Sequence, residues 1–336
     1  MTNEFISGLK SLLSQPRKVV LIPHYNPDGD AMGSVLGMQF YLNKLGHSTD
    51  VVLPNDCPEL LLWMPGMDKV LNYYHHRQKS VKSIGDAEII FAMDFNSLDR
   101  IDRLSPLVKK SNAKIVMIDH HTNPGDFACL RYSDSNQAST CEMVYRVIEA
   151  LGGLPIDKDI AQCLYTGILT DTGSFSYPLT SASTHMIVHN LLKYDIDSFQ
   201  IHQNLFNQHS QDRVLLLGKA LSSLKRVDQL PVAYIALTKR DLNYYSSRKG
   251  DTNGFVNYGL TIADIELSVL FIEDPKNSKI KISFRSKNNF PTNKFASEYF
   301  NGGGHINASG GYYDGSLNDA IQKFIIAIKL FPHEFQ

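Results

Sequence analysis

The stretch His24-Tyr25-Asn26-Pro27-Asp28-Gly29-Asp30 separates two apolar segments of the chain. The apolar run over 18–23 before it is typical of a buried strand, and the apolar-periodic segment over 31–45 after it predicts a helix. One imidazole and two carboxylates therefore lie in a turn between a strand and a helix. In open α/β sheets such turns lie at the carboxyl ends of the strands, where ligands bind.

This turn carries the side chains of a metal site. His24, Asp28 and Asp30 are metal-ligand residue types, and Pro27 and Gly29 shape the turn between them. Asp28 also suits the N-cap of the following helix, since aspartate often caps helices. Capping does not explain His24 or Asp30, so the stretch favours a metal site.

The length and composition are typical of a soluble protein with two domains. The 336 residues exceed a typical single core, and 43% hydrophobic and 20% charged residues are ordinary values for a globular chain. The formal net charge of -1 provides no general positive field. Binding along extended duplex DNA is therefore not favoured, although a local basic patch is still allowed.

The cysteines and the apolar segments indicate the cellular compartment in which the protein is expected. Four cysteines without paired spacing argue against a disulfide framework or a thiolate zinc site and favour a reducing compartment. They are Cys57, Cys129, Cys141 and Cys163. No signal peptide pattern is seen at the N-terminus, and no apolar run is long enough to span a bilayer. We therefore expect a cytoplasmic protein without a membrane partner.

The first part of the chain alternates strands with helices. Strands are predicted over 18–23, 49–54, 88–93 and 114–118, and helices over 30–45, 139–151, 157–169 and 182–192. This alternation predicts an α/β domain over residues 1–194, with a mostly parallel, doubly wound sheet covered on both faces.

The remainder of the chain has a different pattern. The polar stretch over 195–212 predicts a helical linker, and residues 213–336 predict a smaller α+β domain. Its strands are predicted over 231–237, 266–272 and 279–285, and its helices over 213–224, 292–300 and 317–330. In the strand over 279–285, apolar residues alternate with Lys281, Ser283 and Arg285, which is typical of a half-buried strand.

Three further groups of acidic or histidine residues follow apolar runs of the first domain. They are Asp94, Asp119-His120-His121 and Asp171. Each aspartate alone also suits a cap or a turn. Parallel strands end at one edge of a sheet, so the groups that follow strands are expected to meet there, while Asp171 follows a predicted helix. The combined cluster consists of His24, Asp28, Asp30, Asp94, His120 and Asp171.

The composition of this cluster indicates divalent metal ions. So many carboxylates cannot ionise side by side without cations between them. Carboxylate and imidazole without thiolate favour two manganese or magnesium ions over a structural zinc, and the imidazoles favour manganese. Two metals about 4 Å apart are standard for displacement at phosphorus. We therefore expect a phosphoester hydrolase in which His121 neutralises the leaving oxygen and Asp119 orients an imidazole.

The second domain contributes Asn301-Gly302-Gly303-Gly304-His305. Three glycines let the backbone approach a phosphate closely, and His305 adds a side-chain donor. A triple glycine is also typical of a simple turn, and an arginine such as Arg285 is often a solvated surface residue. Their presence in one small domain favours a site that grips a phosphate or a carboxylate.

The ordered motifs resemble those of the DHH phosphoesterase superfamily, which is named after a triplet such as Asp119-His120-His121. His24-x-x-Pro27-Asp28-x-Asp30 matches the first motif, Asp94 the second, the triplet the third, and Asp171 the fourth. Gly302-Gly303-Gly304-His305 matches the signature of the DHH-associated C-terminal domain, type one. The resemblance covers nearly the whole chain, and no motif position departs from the pattern.

This resemblance implies a role for each motif residue. One ion would be held by His24, Asp28 and Asp94. The other ion would be held by Asp30, Asp94, His120 and Asp171, with Asp94 bridging the pair. His121 would contact the scissile phosphate, so the residues expected to be catalytic are Asp94, His120 and His121. The substrate would be bound in the cleft between the lobes by His121, Arg285, Gly302, Gly303, Gly304, His305 and, as a further phosphate contact, Arg100.

The compact two-domain form resembles one group of the superfamily, the nano-RNases, which are related to RecJ-type exonucleases. Members of this group trim short oligoribonucleotides to mononucleotides and often dephosphorylate 3′-phosphoadenosine 5′-phosphate to AMP. RecJ-type enzymes usually carry an added OB-fold for long single strands, and this chain has no room for one. The signature over 302–305 argues against a family II pyrophosphatase. The expected partners are therefore short single-stranded oligonucleotides or nucleotides.

Several alternatives stay open. An exopolyphosphatase-like enzyme and a phosphodiesterase for linear dinucleotides such as pApA would use the same metal cluster. A nucleotide-binding regulator without turnover is a third alternative, against which the complete set of metal ligands speaks. The sequence does not decide whether RNA or DNA is preferred, from which end the substrate is attacked, or whether the protein forms a homodimer.

Overall fold

The computed structural model describes residues 1–152, 154–248, 250–274 and 279–331, and residue 335. The chain divides into two compact units, Met1–Gln208 and His209–Gln336. Each unit has a six-stranded sheet and a hydrophobic core of its own. In the described part of the chain, no helix has both the length and the apolar character needed to cross a membrane.

The first unit alternates strands and helices along the chain. Its strands are β1 (Lys18–Ile22), β2 (Ser48–Leu53), β3 (Leu71–Asn72), β4 (Ile89–Met93), β5 (Lys114–Asp119) and β6 (Leu130–Ser133). Its helices are α1 (Asn3–Leu12), α2 (Gly29–Lys44), α3 (Arg77–Asp86), α4 (Ser105–Lys110), α5 (Thr140–Leu151), α6 (Lys158–Asp171), α7 (Ala182–Leu192) and α8 (Ser198–Phe206). Short 3-10 helices lie at Glu59–Leu61, Met67–Lys69 and Leu98–Leu104.

The first sheet is parallel and covered on both faces. Its strand order is β3-β2-β1-β4-β5-β6, and the pairings between these strands are all parallel. In β1, Val19 and Leu21 pack into one core while Val20 and Ile22 pack into the core on the opposite face. Burial on both faces explains why β1 is continuously apolar from Val19 to Ile22 rather than alternating. The predicted doubly wound α/β sheet is confirmed.

The second unit is an α+β arrangement. Its helices are α9 (Gln211–Ser222), α10 (Lys239–Tyr244), α11 (Thr292–Tyr299) and α12 (Leu317–Leu330), with a 3-10 helix at Phe255–Thr261. Its strands are β7 (Lys225–Arg226), β8 (Val232–Leu237), β9 (Leu267–Glu273), β10 (Lys279–Ser286), β11 (Gly303–His305) and β12 (Ala308–Asp314). The order is β11-β12-β10-β9-β8-β7, in which β8 and β9 pair in parallel and the other pairs are antiparallel.

Strand β10 has the half-buried pattern that its sequence predicts. Ile280, Ile282 and Phe284 lie in the core of the second unit, while Lys281 is exposed on the other face. The glycine segment after α11 differs from the expectation of a loop, because Gly303–His305 pairs with β12 as an edge strand. Its three residues carry little strand propensity of their own, so the pairing partner supplies the structure.

The helical stretch predicted inside the linker over 195–212 corresponds to α8. This helix packs Ile201 and Leu205 into the core of the first unit, and α9 begins at Gln211. The division between the units falls between Gln208 and His209.

Candidate active site

The strand order of the first sheet changes direction at one point. Neighbours β2 and β3 lie on one side of β1, and β4 to β6 lie on the other. His24 follows the carboxyl end of β1, and Asp94 follows the carboxyl end of β4. A reversal of strand order opens a crevice outside the carboxyl ends of the strands, which is where open α/β sheets bind ligands.

One group of candidate ligands surrounds the turn after β1. Nε2 of His24 lies 3.5 Å from Oδ2 of Asp94 and 3.9 Å from Oδ1 of Asp28. One donor atom from each of these three side chains lies within 4.8 Å of the other two. Asp28 also caps α2, since its Oδ1 accepts hydrogen bonds from the backbone N–H groups of Asp30 and Ala31. Asp28 can therefore cap α2 and still belong to the group of candidate metal ligands.

A second group lies around His120, just past β5. Its Nε2 lies 3.3 Å from Oδ2 of Asp171, 3.5 Å from Oδ1 of Asp94 and 3.9 Å from Oδ2 of Asp30. Asp30 is the second residue of α2, and Asp171 is the last residue of α6. Sheet and helix ends together thus bring a second set of oxygen and nitrogen donors to the same crevice.

Asp94 contacts both groups. Its carboxylate faces His24 through Oδ2 and His120 through Oδ1, and the side chain is only 2% exposed. Its backbone has φ of 62°, a left-handed conformation that is uncommon outside glycine and that aspartate and asparagine adopt more readily than other residues. The structure therefore gives Asp94 the position expected of a residue shared between two ions.

The imidazole rings are held in the orientation that metal ligands need. The Nδ1–H of His24 donates to the carbonyl oxygen of Tyr25 at 2.9 Å, and that of His120 donates to the carbonyl oxygen of Gln137 at 3.2 Å. Because a carbonyl only accepts, Nε2 is the nitrogen that each ring presents to the carboxylates. Metal-binding histidines commonly donate their other ring N–H in this way.

The shifted pKa values of the clustered side chains also favour the binding of cations. Burial alone would lower the pKa of His24, but Asp94 and Asp28 raise it to about 9. Burial opposes the charge of His120 in the same way, yet its carboxylate neighbours raise its pKa to about 9. Burial and the charge of Asp94 raise the pKa of Asp30 to about 7, and burial raises that of Asp171 well above its ordinary range. Such crowded carboxylates require positive charge between them.

Asp94 has the opposite shift. Its burial opposes ionisation, but the neighbouring imidazoles of His24, His120 and His121 hold its pKa below the ordinary range. Cys141 is the thiol beside the cluster, and burial raises its pKa well above the usual value. The cluster therefore offers carboxylate and imidazole rather than thiolate, a donor set that suits manganese or magnesium.

His121 lies next to the cluster. Its Nδ1 is 2.7 Å from Oδ1 of Asp119, which is fully buried, and 3.7 Å from Oδ1 of Asp94. The contact with Asp119 fixes the plane of the imidazole, which matches the orienting role predicted for this aspartate.

Arg100 lies in the 3-10 helix at Leu98–Leu104, close to the turn after β1. Its carbonyl oxygen accepts a hydrogen bond from the N–H of Tyr25 at 2.6 Å. Arg100 and Tyr25 line a cavity of about 400 Å3 together with Asp99 and Asp102. Arg100 is thus adjacent to the residue that follows His24, although the two aspartates make this cavity less favourable for a phosphate than the sequence suggests.

Two residues that our reading of the sequence missed anchor the carboxylates. At the start of α5, the N–H groups of Thr140 and Cys141 donate to the two oxygens of Asp30 at 2.6 and 2.8 Å. The hydroxyl of Thr140 donates to Oδ1 of Asp94 at 2.9 Å. Ser139 caps this helix by accepting from the N–H of Glu142, so the sequence identifies the helix start but not the carboxylates that it meets.

A stripe of glycines, whose spacing of four residues is visible in the sequence, runs along one side of α2. Gly29, Gly33 and Gly37 lie along the side of α2 that faces α6. A Cβ at Gly33 would lie 2.4 Å from the carbonyl oxygen of Cys163, and one at Gly167 would lie 2.2 Å from Sγ of Cys141. These glycines let α2 and α6 approach closely, and the two helices carry Asp30 and Asp171.

Two of the predicted substrate residues of the second unit, Arg285 and His305, lie in one row across three strands. Arg285 of β10 pairs with Ala308 of β12, which pairs with His305 of β11. Residues directly opposite each other in antiparallel strands share a face, so Arg285 and His305 lie on the same side of the sheet. A Cβ at Gly302 would lie 2.0 Å from the carbonyl oxygen of Gly310, so close strand packing explains this glycine.

Comparisons with known proteins give a consistent result. Residues 18–168 match the DHH family, N-terminal domain, and residues 227–331 match the DHHA1 domain. The bifunctional oligoribonuclease and PAP phosphatase NrnA of Bacillus subtilis is 25% identical over 294 residues, which cover 87% of this chain and 88% of that protein. The protein of the same name from Thermus thermophilus is 29% identical over 318 residues, covering 93% and 89%.

One solved structure matches over almost the whole chain. It is an exopolyphosphatase-related protein from Bacteroides fragilis, with 38% sequence identity and a TM-score of 0.95. The match covers 98% of this chain and 96% of that protein. The order and architecture of both units are therefore shared with this relative.

Proposed function

This chain belongs to the DHH family and carries a DHHA1 domain after the DHH domain, and from this premise we propose that it is a phosphoester hydrolase. Its substrates are short oligoribonucleotides, which it degrades to mononucleotides, and 3′-phosphoadenosine 5′-phosphate, which it converts to AMP. The names of the relatives from Bacillus subtilis and Thermus thermophilus support this pair of activities.

The observation that carries the proposal is the position of Asp94 between two groups of ligands. His24 and Asp28 lie on one side of it, and His120 lies on the other. We propose that these groups hold two divalent ions, with manganese favoured by the imidazoles and magnesium as the alternative. Such ions activate water and neutralise charge at a phosphoryl group when bound. His121, oriented by Asp119, contacts the phosphate that is cut.

The second unit supplies the binding residues in this proposal. Residues 1–194 form the catalytic domain and 213–336 the substrate domain in this proposal. Of the linker predicted over 195–212, α8 packs on the first unit, and the segment between α8 and α9 makes the connection. Arg285 grips a phosphate with its planar guanidinium, and the 302–305 segment adds backbone N–H groups and the His305 side chain. The net charge of -1 agrees with short substrates rather than long polyanions.

A second candidate function is hydrolysis of inorganic polyphosphate. The relative from Bacteroides fragilis is described as exopolyphosphatase-related, and it is more similar in sequence than the two nuclease relatives above. A linear dinucleotide such as pApA is a further substrate that the same cluster would accept. A non-catalytic regulator is disfavoured because all predicted metal ligands are present and lie together.

The test compares substrates side by side. The purified protein is incubated with Mn2+ or Mg2+ and a short 5′-labelled RNA, a long single strand, 3′-phosphoadenosine 5′-phosphate, pApA or polyphosphate. Release of mononucleotides from the short RNA and of phosphate from the bisphosphate is expected. Phosphate release from polyphosphate alone would replace the proposal by the second candidate. Asp94→Asn serves as the matched inactive variant throughout.

A further inference from the structure

The face of the second sheet that carries Arg285 and His305 continues along the strands. Three rows of paired residues cross this face: Arg285, Ala308 and His305; Ser283, Gly310 and Gly303; Lys281 and Tyr312. The opposite face of the sheet is covered by the core of the second unit, which includes Ile282 and Phe284 of β10. The outward rows are thus fixed in position by a packed sheet beneath them.

A groove of about 370 Å3 runs over the second and third rows. Lys281 and Tyr312 line it together with Ser283, Gly303 and Gly310. The lining is completed by Ile282, Asn301, Gly302 and Gly311. The Tyr312 side chain is 52% exposed, and Lys281 is exposed beside it. The backbone under Tyr312 is held by a hydrogen bond from its N–H to the carbonyl oxygen of Phe300 at 2.7 Å.

Two of the four glycines that line this groove, Gly303 and Gly310, are not explained by the packing of the chain itself. A Cβ at Gly303 would meet no atom within 4 Å, and a Cβ at Gly310 would meet only the carbonyl oxygen of Ile282, at 3.4 Å. Neither residue has the positive φ that favours glycine. Glycine weakens a strand, and one reason for its presence is the close approach of a ligand. The missing side chains keep the groove open.

The groove has the chemistry of a site for one nucleotide. An exposed tyrosine ring stacks on any nucleobase, and a lysine attracts a phosphate without a fixed geometry. The five residues from Lys281 to Arg285 span about 13 Å along the strand, so a phosphate at each end would belong to different nucleotides of one chain.

We propose that this groove binds a second nucleotide of an oligonucleotide, with its base on Tyr312 and its phosphate at Lys281. The first nucleotide is then the one held at Arg285 and His305, so this inference rests on the proposed function. A nucleoside bisphosphate has no second nucleoside and does not reach the groove. The protein therefore distinguishes oligonucleotides from bisphosphates by contacts in the second unit.

The test measures two variants on two substrates. Tyr312→Ala removes the stacking surface, and Gly310→Val fills the groove with a side chain that favours strands. We expect kcat/KM for a pentaribonucleotide to fall roughly tenfold or more in each variant, as expected for the loss of one stacked base. For 3′-phosphoadenosine 5′-phosphate it should change less than twofold. Tyr244→Ala, at a tyrosine that is 80% exposed on α10, is the matched control and should leave both unchanged.

Binding is measured separately from turnover. The affinity of metal-free protein for a fluorescent pentaribonucleotide and for a fluorescent mononucleotide is followed by anisotropy, and Tyr312→Ala should weaken only the former. Equal losses for both ligands, or no loss for the pentamer, would overturn the groove as a second subsite. Tyrosine-dependent binding of the pentamer without cleavage of any substrate would instead overturn the proposed function and leave the groove in place.

Discussion

Asp94 combines a buried carboxylate with a left-handed backbone, and this combination determines which substitutions are informative. Asparagine tolerates φ of 62° and still accepts the hydrogen bond from Thr140, whereas alanine does neither. We expect both Asp94→Asn and Asp94→Ala to lose measurable turnover. The alanine variant should also be less stable than the asparagine variant by about 2 kcal/mol, from backbone strain and the lost hydrogen bond.

Denaturant unfolding in the presence of a chelator measures this difference without a contribution from bound metal. Equal stability of the two variants would show that the left-handed backbone relaxes at no cost. Full activity of either variant would remove Asp94 from the centre of the site.

Thr140 is a positioning residue, since it acts on the site through Asp94. Thr140→Val keeps the shape of the side chain but removes the hydroxyl donor, while the backbone N–H to Asp30 stays in place. We expect the affinity for Mn2+ to fall about tenfold or more, in line with the loss of partners that orient metal ligands. A Mn2+ titration of activity measures the effect. Thr140→Ser restores the hydroxyl and should recover most of the affinity; failure to recover would indicate a packing role instead.

The raised pKa values of His24 and His120 make metal binding depend on pH. With both pKa values near 9, both rings are protonated on both nitrogens and positively charged at pH 7.5 in the metal-free protein. Each histidine must lose one of these protons before it can bind a metal, because a metal-binding imidazole is neutral. These two rings should therefore release about two protons on binding at this pH, and the raised pKa values of Asp30 and Asp171 add to the release. Affinity should rise from pH 7 to pH 9 and level off above it. Calorimetric titrations in buffers of different ionisation enthalpy measure the protons released. An affinity that falls over this range would contradict the assignment of both ligands.

The sequence allows the motif residues to be predicted, because their types and spacing identify the chemistry. His24, Asp30 and His120 follow strands or begin helices, and parallel strands bring such positions to one edge. The contribution of Thr140 could not be predicted, because it depends on where the start of α5 meets Asp30, more than a hundred residues earlier in the chain.

At the scale of elements, the contact between α2 and α6 depends on the absence of side chains. A methyl group at Gly33 would lie 2.4 Å from a carbonyl oxygen of α6, which cannot move without shifting the helix. We expect Gly33→Ala to destabilise the protein by about 1–3 kcal/mol, as overpacked cores do, and to weaken Mn2+ binding because Asp30 and Asp171 would separate.

Gly85 provides the matched control for this substitution. It lies in α3, is exposed, and a Cβ there would meet no atom within 4 Å. Gly85→Ala should raise the free energy of unfolding by up to about 1 kcal/mol, since alanine is the better helix former. Denaturant unfolding measures the change in the free energy of unfolding for each alanine variant. Changes of opposite sign would support the close contact between α2 and α6, and changes of the same sign would contradict it.

The elements differ in how well their sequences predict them. The strands β1 and β4 and the helices α7 and α12 have clear apolar patterns, and their predicted positions agree with the structure within one residue. Helix α3 was missed because only Ser80 and Ile84 of its ten residues are buried, so its apolar period is weak. Strand β12 was missed because Gly310 and Gly311 lower its strand propensity, and its pairing with β10 stabilises it.

At the scale of the whole molecule, the candidate metal ligands all belong to the first unit. A ligand stabilises what it binds by mass action, so Mn2+ should slow amide hydrogen exchange in the first unit, including β1 and β4. Strands β8 and β9 of the second unit should change less. Exchange followed by mass spectrometry with and without Mn2+ tests this, and equal slowing in both units would show that they open as one cooperative block.

The amino-acid sequence does not predict the order of the strands within each sheet. The alternation of strands and helices predicts a parallel sheet, but the reversal of order between β1 and β4 is a property of the fold. The row formed by Arg285, Ala308 and His305 likewise depends on the register between β10 and β12, which are separated along the chain by α11 and β11. Register follows from long-range pairing and core burial, which local patterns do not specify.

The short strand β11 has a consequence for the behaviour of the protein at high concentration. It forms one edge of the second sheet, and an open edge can recruit the backbone of another molecule and start fibrous aggregation. Here the edge is three residues long, and Gly304 has φ of 142°, which departs from the extended geometry a neighbouring strand would need. The protein can therefore keep this edge accessible to small molecules while offering a poor template to other chains.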